Sequence, residues 1–310
     1  MQIGLLTDSL SEYSRTDALD LAADLGVETV EIGIGGDAGG WSGAPHTDLA
    51  ALLDDASARD ALRRDVAGRG LRLEAFNASG NPLHPVEGER DDHVLRSGIR
   101  LAQEFEVGTV VAMSGLPAAP GDSFPAWITT VWPPENGRLL AHQWERAVEY
   151  WGSVADEAAA RGVRIAIEMH ANQLVYNVPS LLRLREAVGD VVGANLDPSH
   201  LWWMGADPCA AARALTGAIH HVHAKDTRIE ERAAVTSRLE TTPNEQFTER
   251  AWNYVAVGAA HGVSDWAELL TALREAGYDG PLSIENEDYS LGQRESVALA
   301  VETLRGALNR

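Results

Sequence analysis

The sequence predicts a closed barrel of eight parallel strands, each followed by a helix: the (β/α)₈ form of the α/β class. Three observations predict it. Short β-rich runs alternate with longer helical patterns eight times along 310 residues, and no composition break marks a linker, so residues 1–310 read as one domain. Several strands alternate in polarity, whereas strands of an open parallel sheet, covered by helices on both faces, stay apolar on both sides. Finally, the second face of those strands is small at first and polar at the end, as expected of a barrel interior that opens into a mouth.

The elements follow in order. A strand over 3–7 precedes a helix over 16–25, and a strand over 29–32 precedes a helix over 48–67. The third pair is 71–77 with a helix over 94–105, and the fourth is 109–113 with 139–160. The fifth strand, 163–169, sets Val163, Ile165 and Ile167 against Ala166 and Glu168, and leads to a helix over 179–188. The sixth, 192–197, opposes Val192, Ala194 and Leu196 to Gly193, Asn195 and Asp197, and leads to a helix over 208–215. A seventh strand, 219–224, precedes a long insertion and a helix over 265–276; the eighth, 282–285, precedes a helix over 295–308. Two segments exceed ordinary loop length, 114–137 after the fourth strand and 226–264 after the seventh. Long loops in a compact fold are commonly functional rims, and both would lie at the C-terminal mouth. The first carries Trp127 and Trp132, whose indoles suit stacking on a sugar face as well as plain packing.

Charge and composition narrow the function. A formal net charge of −21, spread without blocks, repels phosphate backbones and anionic lipid, so neither nucleic acid nor membrane is the expected partner. No apolar run approaches the roughly 20 residues needed to span a bilayer. The N-terminal residues lack a basic segment followed by a long apolar one. The single cysteine, Cys209, permits no intrachain disulfide, and a reducing, cytoplasmic setting is expected. The run Gly33-Ile34-Gly35-Gly36-Asp37-Ala38 fits a loose dinucleotide pattern, but no helix opens after it, and it is read as chance.

The strongest chemical signal is four ligand-type residues, each at the C-terminal end of one of the last four strands: Glu168, Asp197, His223 and Glu285. Each alone has an ordinary explanation as a helix cap or ion-pair partner. Four on successive strands, all of inward parity, are better explained by one centre. Three carboxylates and one imidazole make an oxygen-rich set that suits Mn²⁺ best, with Mg²⁺, Co²⁺ or Zn²⁺ as alternatives. A cation there would polarise a carbonyl and acidify the neighbouring C–H, so that Glu168 and Glu285 could remove and return a proton through a metal-bound enediolate. Asn195 and His221, one layer deeper, are candidates to orient the ligands. His200, Lys225, Arg228, His84 and Asn77 are weaker candidates for substrate contact.

These residues also carry a family likeness. The segments 80–85, Ile167-Glu168-Met169-His170, Asn195-Leu196-Asp197-Pro198-Ser199-His200, His221-Val222-His223-Ala224-Lys225-Asp226 and Leu282-Ser283-Ile284-Glu285 resemble the sugar phosphate isomerase/epimerase group of the xylose isomerase-like TIM barrels. The resemblance implies that Glu168, Asp197, His223 and Glu285 hold a divalent cation, that the two glutamates flank the substrate carbon, and that His200 and Arg228 touch substrate. Two positions depart from the group: 258–261 reads Gly-Ala-Ala-His, leaving a role for His261 open, and Asn286 stands where His is usual. The expectation is a metal-dependent isomerase or epimerase of a small sugar or polyol, in a form that allows a homo-oligomer. Alternatives are a lyase or dehydratase acting on a keto-sugar, inosose or 3-keto-glycoside, and a non-catalytic sugar-binding barrel.

Overall fold

A computed structural model describes residues 1–35 and 43–310; Gly36, Asp37 and Ala38 of the glycine-rich run lie outside them. In chain order the strands are β1 (Gln2–Leu6), β2 (Thr29–Gly33), β3 (Arg72–Asn77), β4 (Thr109–Met113), β5 (Arg164–Glu168), β6 (Val192–Leu196), β7 (Ile219–Ala224), β8 (Asp226–Ile229), β9 (Trp252–Val255) and β10 (Pro281–Ile284). Eight close into a parallel barrel in the order β1-β10-β7-β6-β5-β4-β3-β2, while β8 and β9 form a separate two-stranded sheet. Helices α1 (Arg15–Leu25), α2 (Leu49–Asp54), α3 (Ala56–Ala67), α4 (Gly88–Glu104), α5 (Pro134–Ala160), α6 (Val178–Val188), α7 (Pro198–Met204), α8 (Pro208–Ala214), α9 (Glu231–Ala234), α10 (Val263–Glu275) and α11 (Gln293–Leu308) fill the connections. Among the described residues no helix is long and apolar enough to cross a membrane.

The residues cluster as two compact units, one of Met1–Glu31, Asp65–Leu73 and Leu196–Arg310, the other of Ile32–Arg64 and Glu74–Asn195. In the second unit the register pairs Val111 with Ala166 and Glu168 with Asn195. Ala75, Val111 and Ala166 form one buried layer of small side chains, and Glu168 follows Ala166 on the same face. Helix α5 anchors the segment after β4: Trp151 is fully buried and its Nε1 donates to the Ser114 carbonyl at 2.8 Å. Burying such a side chain is worth about 3 kcal/mol. Helix α6 starts with a capping box in which Asn177 accepts from the Ser180 amide and Pro179 occupies the first turn, where its missing N–H is no loss.

In the first unit the register pairs Gly4 with Thr29 and with Ser283, and Ser283 with His223. A Cβ added at Gly4 would lie 2.7 Å from Thr29 Oγ1, so β1 passes its neighbours there only without a side chain. Helix α10 packs through the fully buried Trp266 and the apolar face of Leu269, Leu270 and Leu273.

The structure departs from the sequence reading at four connections. The expected helix over 48–67 is two, because Asp55 adopts an extended backbone and its carboxylate accepts from the Ser57 amide, ending α2 and starting α3. Helices α4 and α5 begin earlier than expected, at Gly88 and Pro134; the acidic first turn of α4 favours the positive end of the helix dipole. The insertion after β7 is not a plain loop. Its ends pair antiparallel, Asp226 with Val255 through Ile229 with Trp252, and α9 lies between them.

Candidate active site

Asp197, His223 and Glu285 come together in the first unit, each offering a ligand atom within 4.8 Å of the others. Asp197 follows β6 directly and caps α7: its Oδ1 accepts from the Ser199 amide at 2.8 Å, with Pro198 next in line. Its other oxygen, Oδ2, is turned the opposite way and lies 3.2 Å from His200 Nε2. The cap on α7 and the contact with His200 are therefore made by different atoms of one carboxylate. His223, near the end of β7, places Nδ1 2.9 Å from Glu285 Oε2. Asp197 and His223 are buried, while the Glu285 side chain keeps 16% exposure.

Charge around this group is arranged by Lys225. Its ammonium lies 3.2 Å from Glu285 Oε1, 3.1 Å from Glu287 Oε1 and 4.4 Å from the centroid of the Tyr254 ring. Burial disfavours the charged form, but Glu285, Glu287 and Asp197 outweigh it and hold the amine well above its ordinary range. His200 is fully buried between two partners, Asp197 on Nε2 and the Tyr254 hydroxyl on Nδ1 at 2.9 Å. Tyr254 arrives from β9, so the hairpin that replaces the expected loop supplies a group at this site.

The remaining predicted residues are placed as follows. Glu168 is the last residue of β5 in the second unit, buried, and its Oε2 accepts from Asn195 Nδ2 at 3.0 Å. Asn77 is buried and accepts from the Ser79 amide. His84 accepts the Val86 and Glu87 amides on Nδ1 and lines a groove of about 570 Å³ with Arg96, His142 and Tyr150. Arg228, on β8, is ion-paired with Glu230 at 2.7 Å and 40% exposed. His261 is drawn into the fold by Asp226, which it meets at 2.6 Å, and stacks on Trp202 with ring centroids 3.8 Å apart. In the other long segment Trp127 meets Tyr176 edge-on and Trp132 is exposed.

Glu31 was not singled out from sequence. It sits in β2, 1% exposed, and its carboxylate takes His221 Nε2 at 2.8 Å, His223 Nε2 at 3.1 Å and the Ser283 hydroxyl at 2.7 Å. Burial opposes its ionisation, but His223 and His221 outweigh that and hold the carboxyl well below its ordinary value. His221 thus reaches His223 through Glu31. The available signal was a carboxylate in mid-strand among Val30 and Ile32, two residues along from the inward Thr29.

The donor set fits a divalent cation. Asp197 Oδ2 and Glu285 Oε2 are buried carboxylate oxygens with no hydrogen bond. Leaving such an atom unsatisfied costs about 1–3 kcal/mol, more for a charged group, unless a cation or another donor meets it. Hard oxygen donors with one imidazole match Mn²⁺ or Mg²⁺ chemistry, and Zn²⁺ accepts the same atoms.

Comparison with known proteins places the chain. It is 44% identical over the full length of both chains to the uncharacterized protein YfiH of Bacillus subtilis. An inosose dehydratase of Lacticaseibacillus casei is 28% identical over 150 residues, 47% of this chain and 47% of that one, so the match spans about half of each. The solved structure of an L-ribulose 3-epimerase superposes with a TM-score of 0.65 at 19% identity, covering 99% of this chain and 96% of that one, a likeness of fold. The sequence profile of the family described as "Xylose isomerase-like TIM barrel" matches residues 19–307. The chain belongs to the xylose isomerase-like TIM barrel family.

Proposed function

We propose that Glu168, Asp197, His223 and Glu285 hold one divalent cation, Mn²⁺ in preference to Mg²⁺, Co²⁺ or Zn²⁺, and that the protein is a cytoplasmic sugar isomerase or epimerase. The observation that carries this reading is the pair of buried, unsatisfied oxygens on Asp197 and Glu285 beside the His223 imidazole. When bound, the cation supplies Lewis acidity to a carbonyl and its adjacent hydroxyl.

The protein's own groups do the rest. One glutamate, Glu168 or Glu285, takes the proton from the carbon next to the carbonyl, and the electron pair of that C–H bond passes into the enediolate. The other returns a proton, either to the opposite face of the same carbon, giving the epimer, or to the former carbonyl carbon, giving the isomer. Lys225 fixes the orientation of Glu285 and offsets its negative charge. His200, Arg228, His84 and Asn77 are outer candidates for substrate contact, and His200 acts first by bridging Asp197 and Tyr254. The substrate is a small sugar or polyol ketone; the acidic surface suits a neutral one.

A second reading, a lyase, is favoured by the similarity to an inosose dehydratase. The first proton transfer is shared, and the electron pair then expels a leaving group from the next carbon. Solvent-deuterium incorporation into ketoses, inososes and 3-keto-glycosides, with and without Mn²⁺, separates these readings. Metal-dependent exchange with an epimer or isomer as product is expected. An unsaturated product identifies the lyase, and no exchange with any of them leaves only a binding barrel.

A further inference from the structure

We propose that Glu31 is the positioning residue of this centre: by accepting the Nε2 proton of His223 it turns the Nδ1 lone pair of that imidazole toward Asp197 and Glu285. This rests on the reading of the centre given above. His223 Nε2 lies 3.1 Å from both oxygens of Glu31, while Nδ1 lies 2.9 Å from Glu285 Oε2. A neutral imidazole carries one proton, and the nitrogen without it is the one that can ligate. An ionised carboxylate only accepts, so a nitrogen bonded to it holds the proton. Glu31 presents both oxygens to Nε2 and Glu285 one oxygen to Nδ1, so the single proton of the neutral ring belongs on Nε2 and Nδ1 turns its lone pair to the site.

Glu31 could itself be taken for a ligand, since with His221 and His223 it forms a second cluster of metal-ligating types. The contacts argue otherwise. Oε2 already takes His221 Nε2 at 2.8 Å and the Ser283 hydroxyl at 2.7 Å, and the side chain is 1% exposed. Three donors converge on one carboxylate, which is the environment of an acceptor and not of an ion. It reaches from β2 to β7 across β1 and β10, and Ser283 of β10 donates to it on the way.

Two measurements test this. In metal-free, ¹⁵N-labelled protein, two-bond ¹H–¹⁵N correlations are expected to show His223 protonated on Nε2; an Nδ1-protonated ring overturns the proposal, and no variant is needed to see it. Mn²⁺ and Co²⁺ titrations by calorimetry then compare the wild type with Glu31→Gln. The carboxamide keeps the size but offers one acceptor oxygen for three donors, so affinity is expected to fall roughly 10- to 100-fold, with His223 shifting toward the other tautomer. Unchanged affinity, or loss of one ion out of two, overturns the positioning role. A wild type that binds neither ion defeats the proposed function instead, while the tautomer measurement still decides the role of Glu31.

Discussion

At the scale of residues, the candidate ligands were legible because each ends a strand, and a strand end fixes both the depth and the facing of a side chain. Asp197 illustrates why the alternatives at such a position do not compete: Oδ1 caps α7 while Oδ2 stays in the site. Glu31 was not legible, since its partners His221, His223 and Ser283 lie far along the chain and nothing local distinguishes a paired buried glutamate from a strand irregularity. Tyr254 was equally hidden, because its approach to His200 depends on how an insertion folds. If Glu168 and Glu285 move the proton, Glu168→Gln and Glu285→Gln should each lower the exchange rate by about 10²–10⁴-fold, the usual contribution of an acid or base. Circular dichroism should be unaltered. Exchange within a few-fold of wild type in either variant removes that residue from the chemistry.

At the scale of elements, the alternation of strand and helix was read correctly because it depends on periodicity, whereas helix starts and breaks depend on single caps. Asp55 divides a helix that its apolar pattern would carry through, and Gly88 starts α4 well before its apolar stripe begins. The α4–α5 contact is laced by polar pairs that periodicity does not reveal. Asp92 accepts from the Tyr150 hydroxyl at 2.7 Å and from Arg96 at 2.8 Å, and Arg96 also reaches Glu157. Burial, reinforced by Asp92, pushes the Tyr150 phenol far above its ordinary value of 10.0. A raised folded value stabilises the fold fully below the unfolded one and loses that contribution as pH climbs toward the folded one. Stability should therefore decline above about pH 10, and Tyr150→Phe should flatten that decline in urea titrations taken from pH 8 to 11. An identical alkaline slope in the variant would show that other groups govern it.

For the whole molecule, the net charge of −21 favours cation uptake and raises a question of specificity that stability can answer. A cation bound only by the folded state adds about 2.7 kcal/mol at a concentration one hundred times its dissociation constant. Mn²⁺ should accordingly raise the melting temperature of the wild type, excess chelator should reverse the rise, and Asp197→Ala should abolish it. A rise of equal size in that variant would mean diffuse binding to the acidic surface. The clasp at the base of the insertion carries a separate consequence. Asp226 Oδ2 receives the amides of Gly258, Ala260 and His261, so the excursion leaves and rejoins the barrel at a single side chain. What lies between those two points still touches the barrel's rim, through Tyr254 on His200 and Trp252 stacked on Trp203. Relatives could exchange, shorten or lengthen this crown, and with it the company a ligand keeps at the rim, while the staves beneath stay as they are.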